Sequence, residues 1–276
     1  MKGRVTFNWV KKALLAAVVS AGLFTTNSYA QQLHAGFMGG PQLTNLESDF
    51  GTFKGIVGFN GGGVVDWRVS NKFGLELDAL FSQYGATKVY DQPQILHDRT
   101  LYYSYRTTDR LSYLQFVLLP KFIIPLGAKP VIPYDKPGDQ KLFLSFFAGP
   151  YFGLRSGFSS TGKQSGYTVL NAGDTINRFE PTAYTNTTKD ADRVAPNDFG
   201  FTAGAGINFN MAGGKMILGF DGRYSRSLAT IDLGYYQRQT RGVNSANQPV
   251  VIKDMANILN TAMAFNVSLK FRILGE

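Results

Sequence analysis

The chain contains no cysteine. Disulfides are therefore excluded, and so is lipid attachment through a mature N-terminal cysteine. Histidine is nearly as scarce, with His34 and His97 the only two. A barrel-rim hydrolase or acyltransferase needs a histidine beside Ser, Asp or Glu to activate a nucleophile or water. By alternation His34 points inward, and His97 in Leu96-His97-Asp98-Arg99 has no spacing to Ser104 that makes such a set. No catalytic residue, metal ligand or cofactor is expected. Nowhere after residue 30 is there a run of about twenty apolar residues, the length a spanning helix requires. If the chain crosses a membrane it must do so as a closed barrel, because closure alone lets strands satisfy every backbone group in lipid.

The N-terminus reads as an export signal. Lys2, Arg4, Lys11 and Lys12 form a basic region, Ala13 to Phe24 a short apolar one, and Ser28-Tyr29-Ala30 a cleavage site before Gln31. Residues 1–30 are thus expected to be a cleaved signal peptide and 31–276 a single barrel domain. The leader holds four of the 28 Lys+Arg and none of the 19 Asp+Glu, which leaves a mature chain of charge +5. That mild, dispersed excess is unlike the clustered stripe of a nucleic-acid binder. No nucleic-acid partner is expected.

What the sequence does hold is alternation. From Asp198 to Met211 the odd positions are Phe199, Phe201, Ala203, Ala205, Ile207, Phe209 and Met211, and every even position is small or polar. A period of two sustained over this length signals a β-strand. It is far longer than the usual globular strand of roughly 5–6 residues. At about 3.3 Å per residue and a tilt near 40°, it crosses a hydrocarbon layer of about 30 Å. The pattern recurs around Leu33–Gly40, Val57–Val69, Phe73–Ser82, Tyr113–Ile124, Leu142–Arg155, Met216–Ser225 and Leu259–Ile273. These spans predict an all-β fold, an eight-stranded antiparallel up-and-down transmembrane β-barrel.

The connections sort by length. Ser70–Lys72 and Ala212–Lys215 are short, whereas Pro41–Lys54, Ala86–Arg110, Ser159–Asn197 and Ala229–Asn257 are mostly long. Short periplasmic turns and long extracellular loops are the outer-membrane asymmetry. The glycine runs Gly61-Gly62-Gly63 and Gly204-Ala205-Gly206 precede no helical period, so they read as strand glycines facing a narrow lumen and not as a dinucleotide site.

Several tracts, in order along the mature chain, resemble a known family. Tyr113-Leu114-Gln115-Phe116-Val117-Leu118-Leu119-Pro120-Lys121-Phe122 is similar to a "YLEIP…K" strand and Ala148-Gly149-Pro150-Tyr151-Phe152-Gly153 to a "GPY.G" strand. Asp198-Phe199-Gly200 with Gly204-Ala205-Gly206 resembles "D.G…G.G", and Gly222-Arg223-Tyr224-Ser225 an "RY" strand. Together they resemble PorT-like, Bacteroidetes-type outer-membrane β-barrel ("porin family") proteins of Gram-negative cells. Gln115 stands where that family often has Glu, and Leu274-Gly275-Glu276 lacks a terminal aromatic. The resemblance implies an eight-stranded outer-membrane barrel and, for PorT itself, a part in protein secretion. Asp174-Thr175-Ile176 also resembles the O-glycosylation sequon of such bacteria.

Two groups of residues stand out as sites. Taking outward residues to pair with outward ones, the turns set Asp66 opposite Glu76, Val64 opposite Asp78, Gly206 opposite Asp221 and Gly204 opposite Arg223. With Arg68, Lys121 and Lys270, these acids and bases form a balanced inward set, expected to close the lumen as a charge network. Tyr102, Tyr103, Tyr105, Tyr235 and Tyr236 are candidate loop contacts, or equally the outer aromatic girdle. The expected protein is a monomeric, non-catalytic scaffold in outer-membrane lipid whose extracellular loops bind secretion or surface proteins. The alternatives are a small passive channel, which eight strands disfavour because side chains fill so narrow an interior, and a barrel enzyme acting on lipid.

Overall fold

The computed structural model describes residues 32–48, 53–95, 99–126, 141–170, 175–186, 194–231, 237–243, 249–255 and 257–275. The expected signal peptide lies outside them. The strands are β1 (Gln32–Ser48), β2 (Phe53–Arg68), β3 (Phe73–Ile95), β4 (Arg99–Leu126), β5 (Leu142–Leu170) and β6 (Thr175–Asn186). They continue with β7 (Asn197–Met211), β8 (Met216–Ser227), β9 (Gln237–Val243), β10 (Pro249–Met255) and β11 (Ile258–Leu274). Eight of them close an antiparallel ring in the order β1-β2-β3-β4-β5-β7-β8-β11, with β11 paired back to β1. β6 adds to the far end of β5, and β9 with β10 forms a separate hairpin.

The ring is apolar outside and polar inside. Phe37, Phe59, Phe73, Phe146, Phe201 and Phe265 are exposed, while Asp66, Glu76, Asp78 and Lys270 are buried. Water would penalise that arrangement and a hydrocarbon layer favours it. On β4 the exposed apolar residues run Leu114, Phe116, Leu118, Phe122, Ile124 and Leu126. That stretch is about 40 Å long and, tilted near 40°, covers about 30 Å of height.

The start of β1, the end of β11 and the short turns lie at one end. The β2–β3 turn is closed by Val69 and Ser70 amides donating to the Phe73 carbonyl at 3.1 and 3.0 Å. Ser70 Oγ in turn accepts from the Phe73 amide at 3.0 Å. The β7–β8 turn places Ala212, Gly213 and Gly214 at φ of 50, 65 and 78°. Two glycines in that left-handed run keep the reversal tight.

At the other end the structure corrects the reading of the long connections. Much of Pro41–Lys54, Ala86–Arg110 and Ser159–Asn197 continues as paired strand: β1 reaches Ser48, β3 pairs with β4 up to Ile95 opposite Thr100, and β4 pairs with β5 up to Arg99 opposite Leu170. Within Ala229–Asn257, β9 and β10 form a hairpin. Beyond the membrane the outer face of a strand no longer meets lipid. The apolar alternation then fades although backbone pairing goes on.

Candidate functional site: the filled barrel interior

Inward side chains stack in layers from the turn end upward. Lowest is an apolar floor of Ile123, Phe143 and Ile217. The Arg68 guanidinium lies 4.0 Å from the centre of the Phe143 ring, a cation–π contact. Beside it His34 is fully buried, its Nε2 3.2 Å from the carbonyl of Gly214 in the β7–β8 turn.

The charge layer stands on this floor. The ladders pair Asp66 with Glu76, Val64 with Asp78, Gly206 with Asp221 and Gly204 with Arg223. Lys121 Nζ donates to Asp66 Oδ2 and Glu76 Oε2, both at 2.9 Å. Lys270 Nζ donates to Asp66 Oδ2 at 3.0 Å and also to Glu76 Oε2. Arg223 uses all three nitrogens, with Nη1 to Asp78 at 2.5 Å, Nη2 to Glu76 at 2.9 Å and Nε to Asp221 at 2.7 Å. Asn266 Nδ2 also donates to Asp221 at 3.0 Å. The pairs link β2, β3, β4, β8 and β11, and apart from Asp221 no side chain among them is more than 5 % exposed. Two lysines between two carboxylates, and one guanidinium across three, neutralise acids that would otherwise repel across the strand pair.

Beside the charges and above them lies a second apolar layer of Met38, Val64, Leu80, Val117, Leu119, Phe147 and Tyr151. Phe147 covers Arg223 at 5.1 Å from ring centre to guanidinium. At Gly204 an added Cβ would meet the Gly222 carbonyl at 2.3 Å and the Phe147 ring at 2.7 Å. That glycine makes room for a phenylalanine ring and a backbone carbonyl.

Higher still is a polar network that alternation alone did not single out. Asp198, fully buried, accepts from Ser227 Oγ at 2.7 Å, Asn260 Nδ2 at 2.9 Å and Tyr151 OH at 3.1 Å. Gln115 Nε2 donates to Tyr84 OH at 2.9 Å close by. Asp198 is in phase with Gly200 and Thr202, so its inward side was readable; its partners Tyr151 and Ser227 come from the neighbouring strands β5 and β8, and Asn260 from β11 beyond them. The far end is capped by an apolar cluster that includes Leu46, Phe53, Tyr84, Leu111, Tyr113, Phe158, Ile231 and Ile258.

The tyrosine candidates fall differently. Tyr102, Tyr103 and Tyr105 sit on β4, opposite Pro93, Gln92 and Tyr90 of β3, and so belong to a strand and not to a loop. Their segment is rich in aromatic and β-branched residues, which was the local signal for strand. Tyr235, Tyr236 and His97 lie outside the described residues. Thr175 opens β6, and Asp174 before it lies outside them as well.

No curated protein matches the chain significantly. Among solved structures it is similar to Ail, the attachment invasion locus protein of Yersinia pestis, at 10% identity and a TM-score of 0.33, covering 87% of this chain and 99% of that one. Neisserial surface protein A matches at 11% identity and a TM-score of 0.28, covering 87% and 97%. The outer membrane protease OmpT of Escherichia coli matches at 10% identity and a TM-score of 0.33, covering 91% and 99%. The family model of the outer membrane protein beta-barrel domain matches residues 29–232, most of the chain and all of β1 to β8. The chain belongs to that family, and its place is the cell outer membrane.

Proposed function

We propose that the protein is a non-catalytic outer-membrane scaffold that conducts no ions and presents its strand extensions to partners outside the cell. The observation that carries this reading is the filled interior: the charge layer sits between two apolar layers, beneath a third apolar cap. Meanwhile β3, β4, β5 and β6 rise past the membrane as one paired sheet. Such a sheet offers a rigid surface whose binding costs little ordering. A secretion-associated role, implied by the resemblance to PorT-like proteins, is the case in which the partner is another secretion component. A lipid-directed enzyme finds less support, since Ser227 bonds to Asp198 at the far end while His34 is buried at the turn end. The purified protein in planar bilayers should show no steady conductance. A stable, well-resolved open state in the wild type would overturn the reading in favour of a passive channel.

A further inference from the structure

The lipid-facing side of the extension carries cations that the interior network does not use. On β4, Arg106 stands directly opposite Lys163 of β5, with Val89 of β3 on its other side. One row nearer the membrane, Thr108 lies between Thr87 and Thr161, and the Thr87 and Thr108 hydroxyls are 2.8 Å apart. One row nearer again, Arg110 lies between Gly85 and Ser159. Alternate positions share a face, so these rows continue the outward face of Leu114 on β4. Arg106, Arg110 and Lys163 are all exposed. Among the described residues no carboxylate is ion-paired with any of them. The nearest acids are a row further out: Asp91, opposite Ser104, and Glu180 of β6, in the bulge beside Ser165. Two cations directly across a strand pair repel each other, and three against two acids a row away leave the patch positive.

Height identifies the occupant. Leu114 is the uppermost exposed apolar residue of the β4 belt. Arg110 and Arg106 lie further along the strand, about 10 and 20 Å above it at the same tilt. A bilayer's polar zone adds only about 5–8 Å on each side of the hydrocarbon core, so a compact phospholipid headgroup reaches the lowest row at most. A phosphorylated sugar headgroup reaches all three. Guanidinium groups bind phosphate in bidentate fashion, and hydroxyls add donors between them.

We propose that Arg106, Lys163 and Arg110, with the threonine hydroxyls between them, form a binding site for the phosphate-bearing sugar headgroup of an outer-leaflet glycolipid. The site rests on the outer-membrane placement and is independent of the scaffold reading. Native mass spectrometry of the detergent-solubilised protein tests it, with phosphorylated lipooligosaccharide, its dephosphorylated form, phosphatidylglycerol and inorganic phosphate as probes. The wild type should retain the phosphorylated lipooligosaccharide in preference to the other three. The double variant Arg106→Gln/Lys163→Gln should bind it about tenfold more weakly. A control, Lys141→Gln/Lys215→Gln, removes the same charge at the opposite rim, where both residues are exposed, and should bind like the wild type. Equal retention of the dephosphorylated form would reduce the site to ordinary lipid contact and overturn the proposal. Equal binding of phosphatidylglycerol or inorganic phosphate, or an unchanged affinity in a double variant that circular dichroism shows to be folded, would overturn it too.

Discussion

Arg223→Met is the sharpest probe of the interior. It removes the cation that reaches Asp78, Glu76 and Asp221 together, while leaving an apolar side chain against Phe147. The three acids do not suffer alike. Glu76 keeps Lys121 and Lys270, and Asp221 keeps the amide of Asn266. Asp78, fully buried, loses its ion pair. Stranding one buried charge costs about 3–5 kcal/mol. In a urea refolding titration that lowers the midpoint by about 1–2 M. Adding Asp78→Asn removes the stranded charge, so the double variant should recover about 1–3 kcal/mol relative to the sum of the singles. Binding of extracellular partners should not change, because the extensions lie far above the cluster. An Arg223→Met stability within about 0.5 kcal/mol of the wild type, or simple additivity of the two substitutions, would refute the stranded-charge account.

Two further outcomes test the walls and the orientation. Ala205, midway along the outward face of β7, pairs with Gly222 and Phe146, so Ala205→Arg should cost about 2–4 kcal/mol in the same titration. Gly204→Ala, one residue away on the inner face, crowds the Gly222 carbonyl and the Phe147 ring and should cost about 1–3 kcal/mol through overpacking; neutrality of either would mean the inner and outer faces are misassigned. For orientation, Thr161→Cys on the extension should react with an impermeant maleimide on intact cells, and Lys215→Cys in the β7–β8 turn only after permeabilisation. Both positions are exposed, so the reverse pattern would invert the barrel.

The ring was legible because a spanning strand meets two different media, and alternation records that difference residue by residue. It blurs where both sides are apolar. Val64-Val65, Leu80-Phe81 and Phe146-Phe147 each put one apolar side chain into the inner layer and its neighbour into lipid, and Val117-Leu118-Leu119 puts two inward around one outward. Sequence periodicity cannot separate such a pair from a buried run. It vanishes where the outer side is no longer lipid, which is why Thr87–Ile95 and Arg99–Thr107 read as loop. Site residues divide in the same way. The turn lengths set which residues of neighbouring strands face each other, so Asp66 opposite Glu76 was open to reckoning. Distance across the lumen was not. Arg223 meets an Asp78 that lies 145 residues earlier in the chain, and no local pattern encodes that approach.

The placement of ladder irregularities shows what the interior charges enforce. Register shifts occur between Leu33 and His34 at the turn-end rim, between Gly55 and Asn60 near the upper rim, between Ser112 and Tyr113 just above the belt, and twice along β5–β6 in the extension. Between the rims, β1–β2, β3–β4, β5–β7, β7–β8 and β8–β11 pair without a shift. A slip of one residue in β3 would turn Glu76 and Asp78 into the hydrocarbon and bring Leu75 and Leu77 to the lysines. Charged groups in lipid cost several kcal/mol each, so every spanning strand with an inward charge has one strongly favoured register. An apolar interior of equal volume would be at least as stable, but its strands would present similar faces on both sides and so tolerate the slip. Above the membrane the outer face no longer meets lipid, and there the ladder is free to bulge.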